Sequence, residues 1–141
     1  MSSLQRLAMR AFIGAHKTLY SLTDGRVGGR MGAQRILLLT TTGRRSGAER
    51  TVPLVFFEDG ERLVLIASKG GAPDDPLWWE NLKKNPEALV QIGGEKRRMR
   101  ARIASGEERA RLWPRVKREN PAYAEYEKKT TREIPVVLLV M

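Results

Sequence analysis

The chain has 141 residues, 41% hydrophobic and 30% charged, a composition that suits one folded domain with its own core and excludes a disordered chain. Cysteine is absent and His16 is the single histidine, so disulfides, thiolate nucleophiles and Cys-based metal sites are excluded and no metal site is expected. The formal net charge of +10 favours an anionic partner: nucleic acid, anionic lipid or a multiply charged ligand.

Residues 3–22 form an amphipathic helical pattern. Leu4, Leu7, Ala8, Phe12, Ala15, Leu19 and Leu22 fall on one side at about 100° per residue, with Arg6, Arg10 and Lys17 opposite. Two readings stay open: a helix packed on the domain, or a basic helix lying on a membrane surface. Ile13 and Tyr20 sit near the basic side, which a purely solvated face does not favour. "DGRVGGRMG" (24–32) breaks the helix with its four glycines. It closes an N-terminal segment, 1–34, ahead of a second segment, 35–141.

The second segment is strand-like. "RILLLTTTG" (35–43), "RTVPLVFF" (50–57) and "ERLVLIAS" (61–68) are apolar and β-branched, and an Asp-Gly turn joins the last two. Pro53 removes one ladder donor, which places it at a bulge or an edge. "PLWWENLKKN" (76–85) is a short helix between two prolines. A second hairpin joins "EALVQI" (87–92) to "KRRMRARIA" (96–104), where Met99, Ala101 and Ile103 alternate with basic residues, one face buried and the other positive. Ser105 and Glu108 read as a capping box opening a helix over 105–120. "PAYAEYEKK" (121–129) continues helically, and "IPVVLLVM" (134–141) is a last strand. Six short strands joined mainly by hairpins predict an antiparallel barrel with helices, an α+β fold that is mainly β.

Two stretches carry chemistry. "TTTGRRSGAER" (40–50) places Arg44, Arg45 and Arg50 around Ser46. Gly43 and Gly47 let backbone N–H groups approach a ligand, and guanidinium forks match phosphate or carboxylate oxygens. Composition alone makes this an ordinary basic hairpin loop. The second stretch is "ASKGGAPDDPLWWENLKKNP" (67–86). If 50–57 and 61–68 pair, Arg50 and Ser68/Lys69 lie at one open end, and the cations converge on one anionic ligand. Trp78 and Asn81 share a helix face, and Trp78 either stacks on a flat ring or is simply core with Leu77 and Leu82. Tyr123 and Tyr126 either line a pocket with hydroxyl donors or cap the barrel. Taken alone, these residues describe a small β-barrel with a basic, aromatic-lined site for a planar anion.

In order and spacing, "LLLTTTGRRSGAERTVPLVFF", "LVLIASKGGAPDDPLWWENLKKNP" and "YAEYEKKTTREIPVVLL" resemble the deazaflavin-dependent nitroreductase family of coenzyme F420-dependent reductases. The resemblance covers residues 35–140, and "ASKGG" followed by P-x-W-x-x-N-L carries most of it. It implies a six-stranded antiparallel split β-barrel of the flavin-reductase and FMN-binding type. The implied cofactor is coenzyme F420, an 8-hydroxy-5-deazaflavin with a multiply anionic tail; FMN is the alternative. By resemblance Arg44, Arg45, Ser46, Gly47 and Arg50 hold the phosphate and tail. Ala67, Ser68, Lys69, Gly70 and Gly71 form the turn around phosphate and ring. Pro53, Pro76, Leu77, Trp78 and Asn81 lie near the ring. Tyr123 and Tyr126 form a lid over the substrate pocket, and with Ser68 they are the candidate catalytic donors.

The implied reaction is hydride transfer to a small hydrophobic electrophile: a quinone, a conjugated enone or a nitro compound. The expected protein is a cytoplasmic monomer or weak dimer with no nucleic-acid partner, and with peripheral membrane contact through residues 3–22 as the membrane reading of that helix. Two positions depart from the family pattern: Glu49 stands where proline is frequent, and Asn120 where an aromatic is frequent. A nucleic-acid-binding barrel using Lys96–Arg102 is the reading from another class. Against it, the aromatics needed for base stacking do not interleave with those charges.

Overall fold

A computed structural model describes residues 3–23, 25, 29–31 and 34–141. The strands are β1 (Arg30–Met31), β2 (Gln34–Thr42), β3 (Glu49–Asp59), β4 (Arg62–Ile66), β5 (Glu87–Ile92), β6 (Glu95–Ile103) and β7 (Val136–Val140). The helices are α1 (Ser3–Leu22), α2 (Leu77–Lys84), α3 (Gly106–Glu119) and α4 (Ala122–Lys128), with a 3-10 turn at Lys69–Gly71. The strands run in the order β1-β2-β3-β4-β7-β6-β5, all neighbours antiparallel, and β5 returns to pair with β2. Six strands therefore close a barrel. The two-residue β1, an addition to the six expected strands, extends one end of β2. The glycine-rich stretch before it lies largely outside the described residues.

The barrel is split between β3 and β4. Their ladder runs only over Phe57↔Val64, Glu58↔Leu63 and Asp59↔Arg62. Beyond it the strands diverge, while β3 stays paired to β2 from Glu49 to Phe56. Pro53, opposite Leu38, lies in this one-sided stretch with no bulge. A residue without an N–H is tolerated where one edge of the strand is unpaired, so Pro53 marks the opening.

Alternation along the strands divides the core. Leu37, Leu39, Leu63, Leu65, Val90, Met99 and Leu139 point inward, and Trp78, Trp79 and Leu82 of α2 plug the interior. Val64, Ile66, Val136 and Leu138 point outward under Leu112, Trp113, Val116 and Tyr123 of α3 and α4. Both faces of β7 are thus buried, which explains its unbroken apolar run. On β6 Met99 and Ala101 are buried as expected, but Ile103 is exposed at the strand's end. The capping box does not form: Ser105 occupies the N-cap without a side-chain hydrogen bond. Glu108 turns instead to Arg102, at 2.7 and 3.0 Å, and to Arg62, at 2.8 Å.

Helix α1 has the expected bounds, and its leucine stripe is not the side that packs on the barrel. It packs across β3 and β2 through Tyr20, which is buried with Ile36 and Leu38. The Tyr20 hydroxyl donates to the Gln91 carbonyl at 3.2 Å and accepts from the Gly93 N–H at 2.9 Å. The leucine stripe faces away from the barrel: Leu4 is 76% exposed, Leu7 64% and Leu22 78%. Ile13 and Tyr20, the residues that did not fit a solvated face, belong to the packed side.

Candidate active site

The loop between β2 and β3 is held in place before any ligand arrives. Gly43 N–H donates to the Ala48 carbonyl at 2.7 Å and Gly47 N–H to the Gly43 carbonyl at 2.9 Å. A Cβ at Gly43 would lie 2.9 Å from Ser46 Oγ and 3.1 Å from the Ala48 oxygen, so a larger residue would crowd the loop. From α2, the buried Asn81 reaches the loop: its Oδ1 accepts from Arg44 N–H and its Nδ2 donates to Thr41 Oγ1, both at 3.1 Å. Lys84 Nζ donates to the Arg44 carbonyl at 2.7 Å. The backbone is tied down while the cationic ends are not. Among the described residues, the guanidiniums of Arg44, Arg45 and Arg50 enter no ion pair, whereas Arg62, Arg102, Arg111 and Arg132 all do. These three arginines line a cavity of about 320 Å³ with Ser46, Leu77, Trp78 and Asn81. Gly47 lies outside it, on a shallower basin with Lys84 and Asn85.

A second cavity, of about 430 Å³, occupies the split itself. It is lined by Pro53 and its β3 neighbours, by Ile66, Ser68, Lys69 and Gly70, and by Pro76, Trp78, Tyr123 and Tyr126. Lys69 has φ 47 and Gly70 φ 64. A side chain at Gly70 would meet nothing within 4 Å, so this left-handed turn presents open backbone to the cavity. Arg132 fixes the turn from behind by donating to the carbonyls of Ala67, Ser68 and Ala72, at 2.9 to 3.2 Å, and to Asp75 at 2.8 Å. Lys69 Nζ lies 3.0 Å from Asp74, whose carboxyl it holds below the ordinary range. Tyr123 is buried edge-on against Phe57, Trp113 and Tyr126. Burial, with a smaller contribution from Tyr126, pushes its hydroxyl up to about 12, so the phenol stays protonated across the physiological range.

The structure therefore separates cations that the sequence reading brings to one point. Lys69 is on the second cavity and the three arginines are on the first; Trp78 and Val52 line both. Both Trp78 and Trp79 are buried, and of the two Trp78 borders these cavities. Ala67 and Gly71 line neither cavity. Ala67 is fully buried, with its N–H bound to the Pro135 carbonyl. Gly71 is where α4 rests: a Cβ there would lie 2.7 Å from the Tyr126 oxygen. Asn120 does not face the cavity; its Oδ1 accepts from the Ala122 N–H at the start of α4. Sequence reasoning missed Thr41, Lys84 and Arg132, and also Met9, Phe12, Ile13 and His16 of α1, which form one wall of the second cavity. The odd position of Ile13 on the helical wheel was the one available signal.

These features define a class: a split β-barrel with a groove that is cationic at one end and aromatic in the middle. A model of the F420H(2)-dependent quinone reductase family matches residues 13–140. An F420H(2)-dependent quinone reductase of Mycobacterium tuberculosis (strain ATCC 25618 / H37Rv) is 39% identical over 128 residues, covering 88% of this chain and 86% of that protein. The solved structure of an F420-H2 dependent reductase (FDR-A) is 44% identical, with TM-score 0.67 over 74% of this chain and 92% of its own. A structure described as a domain-swapped dimer is 40% identical, with TM-score 0.70 over 89% of this chain and 95% of its own. The chain belongs to the F420H(2)-dependent quinone reductase family, and its fold is the split barrel of F420-dependent reductases.

Proposed function

We propose that this protein reduces quinones with reduced coenzyme F420, holding the cofactor across the two adjoining cavities. The observation that carries the reading is the pairing of three unpartnered guanidiniums with an aromatic-walled split on either side of Trp78. An elongated molecule with an anionic tail and a flat ring fits that arrangement. Arg44, Arg45 and Arg50 with Ser46 take the anionic groups; Pro53, Pro76 and Trp78 face the ring; Ser68 and Gly70 offer polar contacts at the turn. When bound, the deazaflavin supplies two-electron hydride chemistry, because carbon stands where a flavin has N5. The protein's part is positioning and water exclusion, worth several kcal/mol in general. The Tyr123 and Tyr126 hydroxyls donate to the acceptor oxygen as it becomes anionic. Conjugated enones and nitro compounds suit the same two-electron chemistry. The test is oxidation of the reduced coenzyme, followed by absorbance, with naphthoquinone, enone and nitroaromatic acceptors. Quinone turnover supports the reading, and tight cofactor binding without turnover of any acceptor would reduce the protein to a carrier.

The exposed leucines of α1 support a finer reading, that this helix lies on a membrane surface. No helix among the described residues is long and apolar enough to cross a membrane. Liposome flotation with Leu7→Ser/Leu19→Ser tests it. Unchanged flotation contradicts membrane contact, and a concentration-dependent change in mass in its place would assign the stripe to a second copy.

A further inference from the structure

The cavity in the split is not built by the barrel alone. Met9, Phe12, Ile13 and His16 of α1 line it together with Tyr123 and Tyr126 of α4. Three of these side chains are apolar; His16 alone can donate a hydrogen bond or a proton. Its ring sits edge-on to Phe12, with centroids 6.0 Å apart and an interplanar angle of 75°, and is half-buried. Lys69 is turned to Asp74, and Tyr123, buried among aromatic rings, keeps its proton. Tyr126 packs edge-on to Tyr123 on α4. Imidazole is the side chain whose ordinary titration falls between about pH 5 and 8.

We infer that α1 supplies the quinone subsite and that His16 hydrogen-bonds the quinone oxygen that takes up negative charge, then protonates it. This rests on the quinone reductase reading above. The quinone receives a hydride, two electrons and one hydrogen, as the C–H bond of the reduced cofactor breaks, and is left as a hydroquinone anion. The His16 imidazolium gives that oxygen a proton, and a proton taken up from water restores the imidazolium; the cofactor's own second proton goes to water. One quinone and one reduced cofactor thus yield one hydroquinone and one oxidised cofactor.

A single histidine makes a direct test practical, because its Cε1–H proton gives one resolved NMR signal. With oxidised coenzyme F420 bound, titration with the naphthoquinone menadione should shift that signal saturably, in step with quenching of tryptophan fluorescence. His16→Phe should lower kcat/KM for menadione roughly tenfold, the loss expected for one hydrogen bond, without changing affinity for the cofactor. His16→Gln, which keeps a donor, should recover part of the loss but none of the acid-side dependence of kcat on pH. Quenching by menadione that leaves the histidine signal in place would overturn the assignment, as would wild-type kcat/KM in His16→Phe. Failure of the wild-type protein to reduce any quinone would overturn the underlying function as well.

Discussion

Asn81 shows how one side chain sets the site. Its amide bridges Thr41 and the Arg44 backbone and so fixes where the arginine loop stands relative to Trp78. Asn81→Ala removes both partners from buried groups, a loss of about 1 to 3 kcal/mol, and should weaken binding of coenzyme F420 more than it lowers turnover of the bound enzyme. Calorimetry and single-turnover kinetics on the same variant check the two halves. Tyr123→Phe should do the reverse, lowering turnover while cofactor affinity holds. Because burial raises the Tyr123 hydroxyl to about 12, its deprotonation should leave no limb in the pH–rate profile below about pH 10. If affinity falls and turnover does not, Tyr123 belongs to the cofactor's pocket.

Among the elements, the turn at Lys69–Gly71 and helix α4 behave as one piece. Gly71 has φ 86, and a Cβ there would press on the Tyr126 backbone and on Lys129. Gly71→Ala should therefore destabilise by about 1 to 3 kcal/mol and displace both tyrosines, so that chemical denaturation and turnover fall together. Arg132 joins the same piece from the β7 side with a fan of hydrogen bonds to three carbonyls. That role was not legible in the sequence. Arg132 is one charge among many, and its partners lie some sixty residues away and, Asp75 apart, are backbone atoms, which carry no identity. The strands, by contrast, were legible because alternation and the Asp-Gly turn are local. Helix α1 was half legible. Periodicity gives its bounds, but the larger apolar stripe is the one that faces outward, and only Ile13 and Tyr20 disclosed the packed side.

For the whole molecule, two carboxylates tie the helical layer to the barrel. Arg111, then Arg62, hold Asp59 down at about 2, and Arg102, then Arg62, do the same for Glu108. Both pKa values lie below the ordinary 3.8 and 4.5, so this contribution is fully present above about pH 4.5 and is lost as pH falls toward 2. Denaturant midpoints should drop through that window, and Glu108→Gln should flatten the drop. Net charge pointed to an anionic ligand without saying where it binds. The three unpaired arginines on the first cavity narrow that to one groove, and the separation of Lys69, paired with Asp74 on the second cavity, could not be read from spacing, because it depends on how far β3 and β4 diverge. The most direct test of the central claim is a fluorescence titration with oxidised coenzyme F420 beside FMN, repeated on Arg44→Ala/Arg45→Ala. Saturable binding of the deazaflavin at micromolar affinity or tighter, weak FMN binding and a loss of affinity in the double variant are predicted. Preference for FMN, or an affinity indifferent to the arginines, would contradict it.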